Sequence, residues 1–145
     1  YSNPKIIVGT IPFQDSSVLL CKRGIEPRYG KWTLPGGFLE NGETVAQGAF
    51  RETLEETNTE VEMKDLYAIF NVPQINQVYM LYRANVVSND YAPTTESLEV
   101  QFFKEDEIPW EELAFPFVPI VLKNFFSDLK KGEFPLTTHT IERKK

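Results

Sequence analysis

Histidine and cysteine are almost missing from this sequence, with one of each in 145 residues, His139 and Cys21. Cys21 has no partner in the chain, so no intrachain disulfide and no cysteine-built zinc site forms within these residues. A free cysteine fits a reducing, cytoplasmic compartment. A single histidine excludes mechanisms built on a His pair or a His–metal cluster, and beside a basic tail it reads as a solvated surface residue. Long apolar runs are missing too. The best candidate, Phe115 to Phe126, is broken by Pro116, Pro119, Lys123 and Asn124, far short of the roughly 18 residues of a membrane span. No signal or transit peptide is legible. A chain that begins at Tyr1 rather than Met is expected to lack a leading piece.

What is present suits one globular domain over residues 1–145, with 41% apolar and 25% charged residues. The net charge is −6 and unevenly spread. Between Gly36 and Glu62 stand seven glutamates against one base, Arg51, as much negative charge as the whole chain carries. Five bases and two acids precede this window, and six bases against three acids close the chain from residue 123. The acidic balance argues against nucleic-acid binding. A concentrated acidic window between basic flanks suggests bound cations and a phosphate-bearing small molecule.

The pattern predicts strands at Lys5–Pro12, Ser17–Lys22, Trp32–Leu34, Glu60–Phe70, Gln77–Val87 and Val100–Lys104. A helix is predicted over Thr44–Thr57, with Thr44 and Gln47 as a capping box and Asn58 as a left-handed stop. Its inner face is expected to be Val45, Ala46, Ala49, Phe50, Thr53, Leu54 and Thr57, and Gly48 to permit close packing. A short helical turn is expected over Glu105–Leu113 and a second helix over Pro116–Lys131, closed by Gly132. Gly36–Gly37 reads as a backbone bend, and Thr137–Lys145 as a fraying tail. The order points to an α+β domain, a mixed sheet sandwiched between helices.

Within the first helix Glu52, Glu55 and Glu56 fall at i, i+3 and i+4, so their carboxylates share one face. Such oxygens suit Mg²⁺ or Mn²⁺. The Gly36–Gly37 pair lets backbone approach a ligand, with the Gly36 carbonyl as a further donor. Glu43, eight residues before Arg51, is placed to pair with it and lock the loop to the helix.

The run Gly37, five residues, Glu43, seven residues, Arg51-Glu52-Thr53-Leu54-Glu55-Glu56 resembles the Nudix box. Every charged position matches. Thr53 and Thr59 replace aliphatic residues of the pattern, and Asn58 replaces a glycine. The resemblance implies a Nudix fold and hydrolysis of a pyrophosphate bond in a nucleoside diphosphate-linked substrate. It implies Glu52, Glu55, Glu56 and the Gly36 carbonyl as ligands of Mg²⁺ or Mn²⁺, and Glu43–Arg51 as a structural ion pair. It also implies a further acid from a loop, for which Glu96 and Glu99 are the candidates. The proton acceptor is then Glu56 or a loop acid such as Glu99.

Asn3-Pro4-Lys5, Leu19 to Arg23, Trp32 to Glu40, Glu96 to Glu99 and Ile108 to Phe115 resemble the plant FAD pyrophosphatase branch and its bacterial relatives. That implies cleavage of FAD to FMN and AMP and an N-terminal zinc ribbon ahead of Tyr1; a homodimer is a separate expectation. The Ser-Gln-any-Trp-Pro-Phe-Pro segment of NADH pyrophosphatases is missing, which counts against NADH. Rival readings are ADP-ribose, NADH or nucleoside triphosphate hydrolysis, and a catalytically silent nucleotide-sensing module. Tyr29, Trp32, Phe70, Tyr79 and Tyr82 are stacking candidates for a flat ring. Arg23, Lys22, Arg28 and Lys31 are phosphate candidates, and Glu96 a further contact to substrate.

Overall fold

The structure, a computed structural model, describes residues 3–142. Eight strands form one mixed sheet among them: β1 (Lys5–Gln14), β2 (Ser17–Arg23), β3 (Trp32–Thr33), β4 (Gly36–Phe38), β5 (Val61–Val72), β6 (Gln77–Val86), β7 (Ser97–Lys104) and β8 (Thr137–Thr140). The helices are α1 (Val45–Thr57) and α2 (Phe117–Lys131). The order β3-β2-β1-β6-β5-β8 is the main path, with β4 on β1 and β7 on β2. β1 runs parallel to β6 and β8 parallel to β5, while the remaining pairs are antiparallel.

β1 and β2 form a hairpin but share register only at Phe13–Val18 and Gln14–Ser17. Beyond that they diverge. β4 takes over the edge of β1, and β2 turns to β3 and β7. The sheet therefore opens between β1 and β2, and the Gly36–Gly37 backbone lies in the opening.

Successive residues of β1 face opposite sides. Thr10 Oγ1 lies 2.7 Å from Thr53 Oγ1 of α1, while Ile11 joins the core that holds Val118, Val121, Leu122 and Phe125 of α2. The two helices thus cover opposite faces, as the sandwich expectation requires. A smaller cluster of Leu19, Val61, Ala84 and Val86 packs with Phe50 on the α1 side.

The capping box forms, with Thr44 Oγ1 accepting from Gln47 N–H and Gln47 Oε1 accepting from Thr44 N–H. Asn58 ends the helix at φ 59° and ψ 26°. The inner face of α1 differs from the expectation. Gly48, Ala49, Thr53, Glu56 and Thr57 are buried, whereas Leu54 is 37% exposed and Val45, Ala46 and Phe50 only half-buried. The helix is rotated so that small and polar side chains meet the sheet. A Cβ on Gly48 would meet Leu39 Cδ1 at 2.8 Å and Val8 Cγ2 at 2.9 Å, so the glycine does set the packing distance. Thr53 donates to the Ala49 carbonyl at 2.8 Å and meets Thr10, which satisfies its hydroxyl in the core.

Two strands escaped the sequence reading. Gly36–Phe38 is β4 rather than a free bend, and Thr137–Thr140 is β8 rather than a fraying tail; the tail expectation for 143–145 lies outside the described residues. His139 is not a solvated side chain. Its ring stacks on Phe70 at 4.5 Å and 12°, and Nε2 lies 2.9 Å from Thr137 Oγ1.

Candidate active site

A cleft of about 640 Å³ opens at the split in the sheet. Its acidic wall comes from α1. Glu56 points inward from the last full turn, only 7% exposed, and accepts a hydrogen bond from Gly36 N–H at 3.0 Å. Glu52, one turn earlier, lies against Gly37, where a Cβ would stand 2.5 Å from its carboxylate. A residue larger than glycine at position 37 would collide with Glu52, and one at position 36 would press on the Val8 carbonyl of β1 at 3.0 Å.

Burial raises the Glu56 carboxyl well above the usual carboxylate range, against the opposing Gly36 N–H, and the charges of Glu52 and Glu96 push it further. Glu52 is raised as well, chiefly by burial and against the pull of Arg51. Both carboxyls line the same end of the cleft. No cation pairs with Glu56 among the described residues. The thiol of Cys21, buried and raised by that burial, has its single S–H within reach of two acceptors, Glu56 Oε1 at 3.8 Å and the Thr33 carbonyl at 3.6 Å.

Arg51 ties the loop to the helix. Its guanidinium contacts Glu43 at 2.6 and 3.0 Å, Glu52 at 2.9 Å, Glu55 at 3.3 Å and the Phe38 carbonyl at 3.2 Å. Glu40 stands 3.7 Å away. The Arg51 hydrogen bond is the main cause that lowers Glu43 to about 2, helped by the N–H of Glu40. A carboxylate depressed from 4.5 to about 2 stabilises the fold above the higher value and loses that stabilisation as pH falls through the lower one. The melting-temperature gap between wild type and Glu43→Gln should therefore be full above pH 5 and shrink as pH falls from about 4.5 towards 2. A gap that stays constant across a pH series would count against the pair.

Among the described residues no group of three His, Cys, Asp or Glu side chains is already assembled for a metal. The exception within the triad is Glu55, which turns to Arg51 and is 51% exposed. Glu52 and Glu56 remain as two apposed, desolvated carboxylates with too little positive charge between them. That donor set fits a hard divalent cation.

Of the other sequence candidates, Arg23, Arg28, Tyr79 and Glu96 line the cleft. Lys22 instead pairs with Glu99 at 3.1 Å and Lys31 with Glu112 at 2.6 Å, both outside the cleft lining. Tyr29 is 57% exposed on the loop after β2 and outside the lining. Trp32 also stands outside it, its ring edge-on to Phe103 at 5.0 Å in the core. Phe70 is buried, and Tyr82 faces away from the cleft lining.

Sequence reasoning missed Phe115, Phe117 and Ile141, which line the cleft. Tyr79 and Phe117 touch at 4.5 Å, Phe115 stacks on Phe117 at 6.1 Å and 10°, and the Arg23 guanidinium lies 5.1 Å over Phe115. The Phe-Pro-Phe run at the head of α2 was visible in the sequence, but its spacing reads equally as core.

This split sheet, with carboxylates of one helix facing a Gly-Gly strand, is the architecture of the Nudix domain. The NUDIX domain model matches residues 3–125, and the chain belongs to the Nudix family and is a Nudix hydrolase. It is 30% identical over 125 residues to an ADP-ribose pyrophosphatase of Methanocaldococcus jannaschii, covering 83% of this chain and 73% of that one. A NAD-capped RNA hydrolase of Pseudomonas aeruginosa is 31% identical over 103 residues, covering 65% of this chain and 37% of its own. The crystal structure of a NUDIX hydrolase from Nitrosomonas europaea superposes with a TM-score of 0.96 at 50% identity, covering 99% of this chain and 81% of that one. Nudix hydrolases as a family use divalent metal ions.

Proposed function

We propose that this chain hydrolyses the pyrophosphate bond of a nucleoside diphosphate linked to a second group, with Mg²⁺ or Mn²⁺ as cofactor. The observation that carries this reading is the geometry of α1 against β4, with the buried Glu56 on Gly36 N–H at 3.0 Å and the half-buried Glu52 against Gly37, both lining the cleft. Glu52 and Glu56 would hold the metal, completed by Glu55 and the Gly36 carbonyl. A bound divalent ion offsets phosphate charge and acidifies water.

The chain's own residues do the rest. Gly36 N–H and Cys21 orient Glu56. Arg51 holds Glu52 and fixes the loop that carries Glu43. Arg23 and Arg28, neither paired with a carboxylate among the described residues, face the cleft as phosphate contacts. Glu96 serves as proton acceptor for the attacking water, because it lines the cleft beside Glu56 and is open to solvent. Glu99 sits two residues past Ser97 on β7 and is held by Lys22. Glu96→Gln should lower kcat by roughly 10²–10⁴-fold, while Glu99→Gln stays within about threefold of wild type. Steady-state kinetics on both variants decide between them, and the reverse order would reinstate Glu99.

FAD is the preferred substrate in this reading, supported by the branch resemblance and by the aromatic surface of Tyr79, Phe117 and Phe115. ADP-ribose is the second reading, supported by the name of the archaeal relative. Comparing kcat/KM for FAD, ADP-ribose, NADH and nucleoside triphosphates at one Mg²⁺ concentration tests it. A tenfold excess of ADP-ribose or NADH over FAD, about 1.4 kcal/mol of transition-state preference, would overturn FAD alone. We read residues 1–145 as one catalytic unit in a reducing cytoplasm, which the free, buried Cys21 supports. Exposed Phe38, Ile6 and Leu54 support self-association as a homodimer, to be checked by sedimentation.

A further inference from the structure

Five residues stand in one row across the sheet. Phe38 pairs with Ile7, Ile7 with Tyr79, Tyr79 with Phe70, and Phe70 with His139. Neighbouring strands lie about 4.8 Å apart, so the row is roughly 19 Å long. Paired residues share a sheet face, and this is the face that carries the cleft and α2. Two residues further along, the same face presents Lys5, Gln77 and Val72 in register. β8 extends this second row. Thr140 pairs with Asn71, and Ile141 N–H donates to the Asn71 carbonyl at 2.8 Å, so Ile141 follows beside Val72. Gln77, Val72 and Ile141 all line the cleft.

The chemistry changes along these rows. At β4 stand the carboxylates of Glu52 and Glu56. In the middle stands the Tyr79 ring against Phe117. At the far end are Val72, Ile75 and Ile141, all aliphatic. The cationic side chains that line the cleft among the described residues, Arg23 and Arg28, come from β2 and the loop after it, on the other side of β1. β8 and Ile141 also lie beyond residues 3–125, the stretch matched by the family model.

We propose that β8 is a specificity element of this enzyme. Ile141, beside Val72 and in the same cleft lining as Ile75, Tyr79 and Phe117, closes a subsite for an uncharged, flat heteroaromatic ring of the substrate. A ring gains stacking and apolar burial there. A charged terminal group would lose its water among aliphatic side chains with no cation to meet it. His139 anchors the wall from beneath, stacked on Phe70, while its carbonyl accepts from Asn71 Nδ2 at 3.1 Å. The inference rests on the pyrophosphohydrolase reading and adds what recognises the group at the far end.

The test is calorimetric binding of AMP, FMN and ribose 5-phosphate to wild type, Ile141→Asp and Ile141→Val in the presence of Mg²⁺. At least one of AMP and FMN should bind wild type more tightly than ribose 5-phosphate, and the one that does identifies the ring. Ile141→Asp should weaken that ligand about tenfold or more, and Ile141→Val should keep it within about twofold. Equal binding of ring and ringless monophosphates to wild type, or unchanged ring binding by Ile141→Asp, overturns the proposal. Should Ile141→Asp melt early, Ile141→Thr keeps the branched shape and should still weaken the ring ligand, and unchanged binding there overturns it equally. Turnover of the diphosphate panel by wild type is measured alongside. No turnover sinks the substrate reading, whereas turnover with indifferent Ile141 variants sinks the β8 inference alone.

Discussion

Glu56→Gln is expected to lower hydrolysis by at least about 100-fold while raising the melting temperature of the metal-free protein. The two effects share one cause. Glu56 is 7% exposed, next to Glu52, and without a cation of its own. Its carboxyl is raised above 4.5 by burial and by its acidic neighbours. An acid whose folded value is raised gives up its proton more readily when unfolded. Metal-free wild type should therefore lose stability as pH rises from about 4.5 through the folded value, and stay at the lower level above it. Glutamine keeps the acceptor for Gly36 N–H and supplies a donor towards Glu52, and it carries no charge to desolvate. Each kcal/mol recovered at neutral pH corresponds to about 2–4 °C for a chain of this size. Thermal scans of both proteins in EDTA, from pH 4 to 8, check the sign. A wild type whose stability rises with pH across that window, or a variant that melts lower at pH 7, would sink the account. Adding Mg²⁺ should narrow the gap by stabilising wild type more, through linkage of binding to folding.

The second large effect belongs to Arg51. One guanidinium contacts Glu43, Glu52, Glu55 and the Phe38 carbonyl, and the side chain is only 22% exposed. Glu43 raises the Arg51 pKa further, with Glu52 adding to it, so the charge is never in doubt. Arg51→Ala leaves four carboxylates, counting Glu40, without their counter-ion. Removing the shared member of such a half-buried set costs about 3 kcal/mol, the low end of the range for buried pairs, because Glu40 and Glu55 stand in water. That corresponds to a fall of roughly 6–12 °C in melting temperature. Arg51→Lys keeps the charge but loses the planar fork that serves Glu43 through two nitrogens at 2.6 and 3.0 Å. It should fall between wild type and Arg51→Ala in stability, and its activity should drop because Glu52 loses its anchor. An Arg51→Lys protein with unchanged melting and unchanged kinetics would show that the network is ornamental.

The acidic box was legible because everything in it is local. The i, i+3, i+4 spacing of Glu52, Glu55 and Glu56 follows from 3.6 residues per turn, and Thr44, Gln47 and Asn58 mark the ends by their own hydrogen bonds and backbone preferences. The eight-residue step from Glu43 to Arg51 likewise sets a pairing that a short loop delivers. Composition and charge placement determined an acidic site between basic flanks, and the strand pattern determined a sheet between helices.

The tertiary structure decided what those carboxylates face. Glu56 and Glu55 are neighbours in sequence, yet one is buried against Gly36 and the other lies outside with Arg51, because β4 docks on only one side of α1. Glu96 reaches the cleft and Glu99 does not, because β7 pairs with β2 in a register that sets Glu99 opposite Lys22 and slips just after it. Short strands such as β4 and β8 carry too few residues to show a period. They exist because β1 and β5 offer free edges to pair with. Ile141 illustrates the same limit. Nothing in its neighbours names a ligand wall, and only the parallel register of β8 on β5 brings it beside Val72, some seventy residues away in the chain, at the end of the cleft.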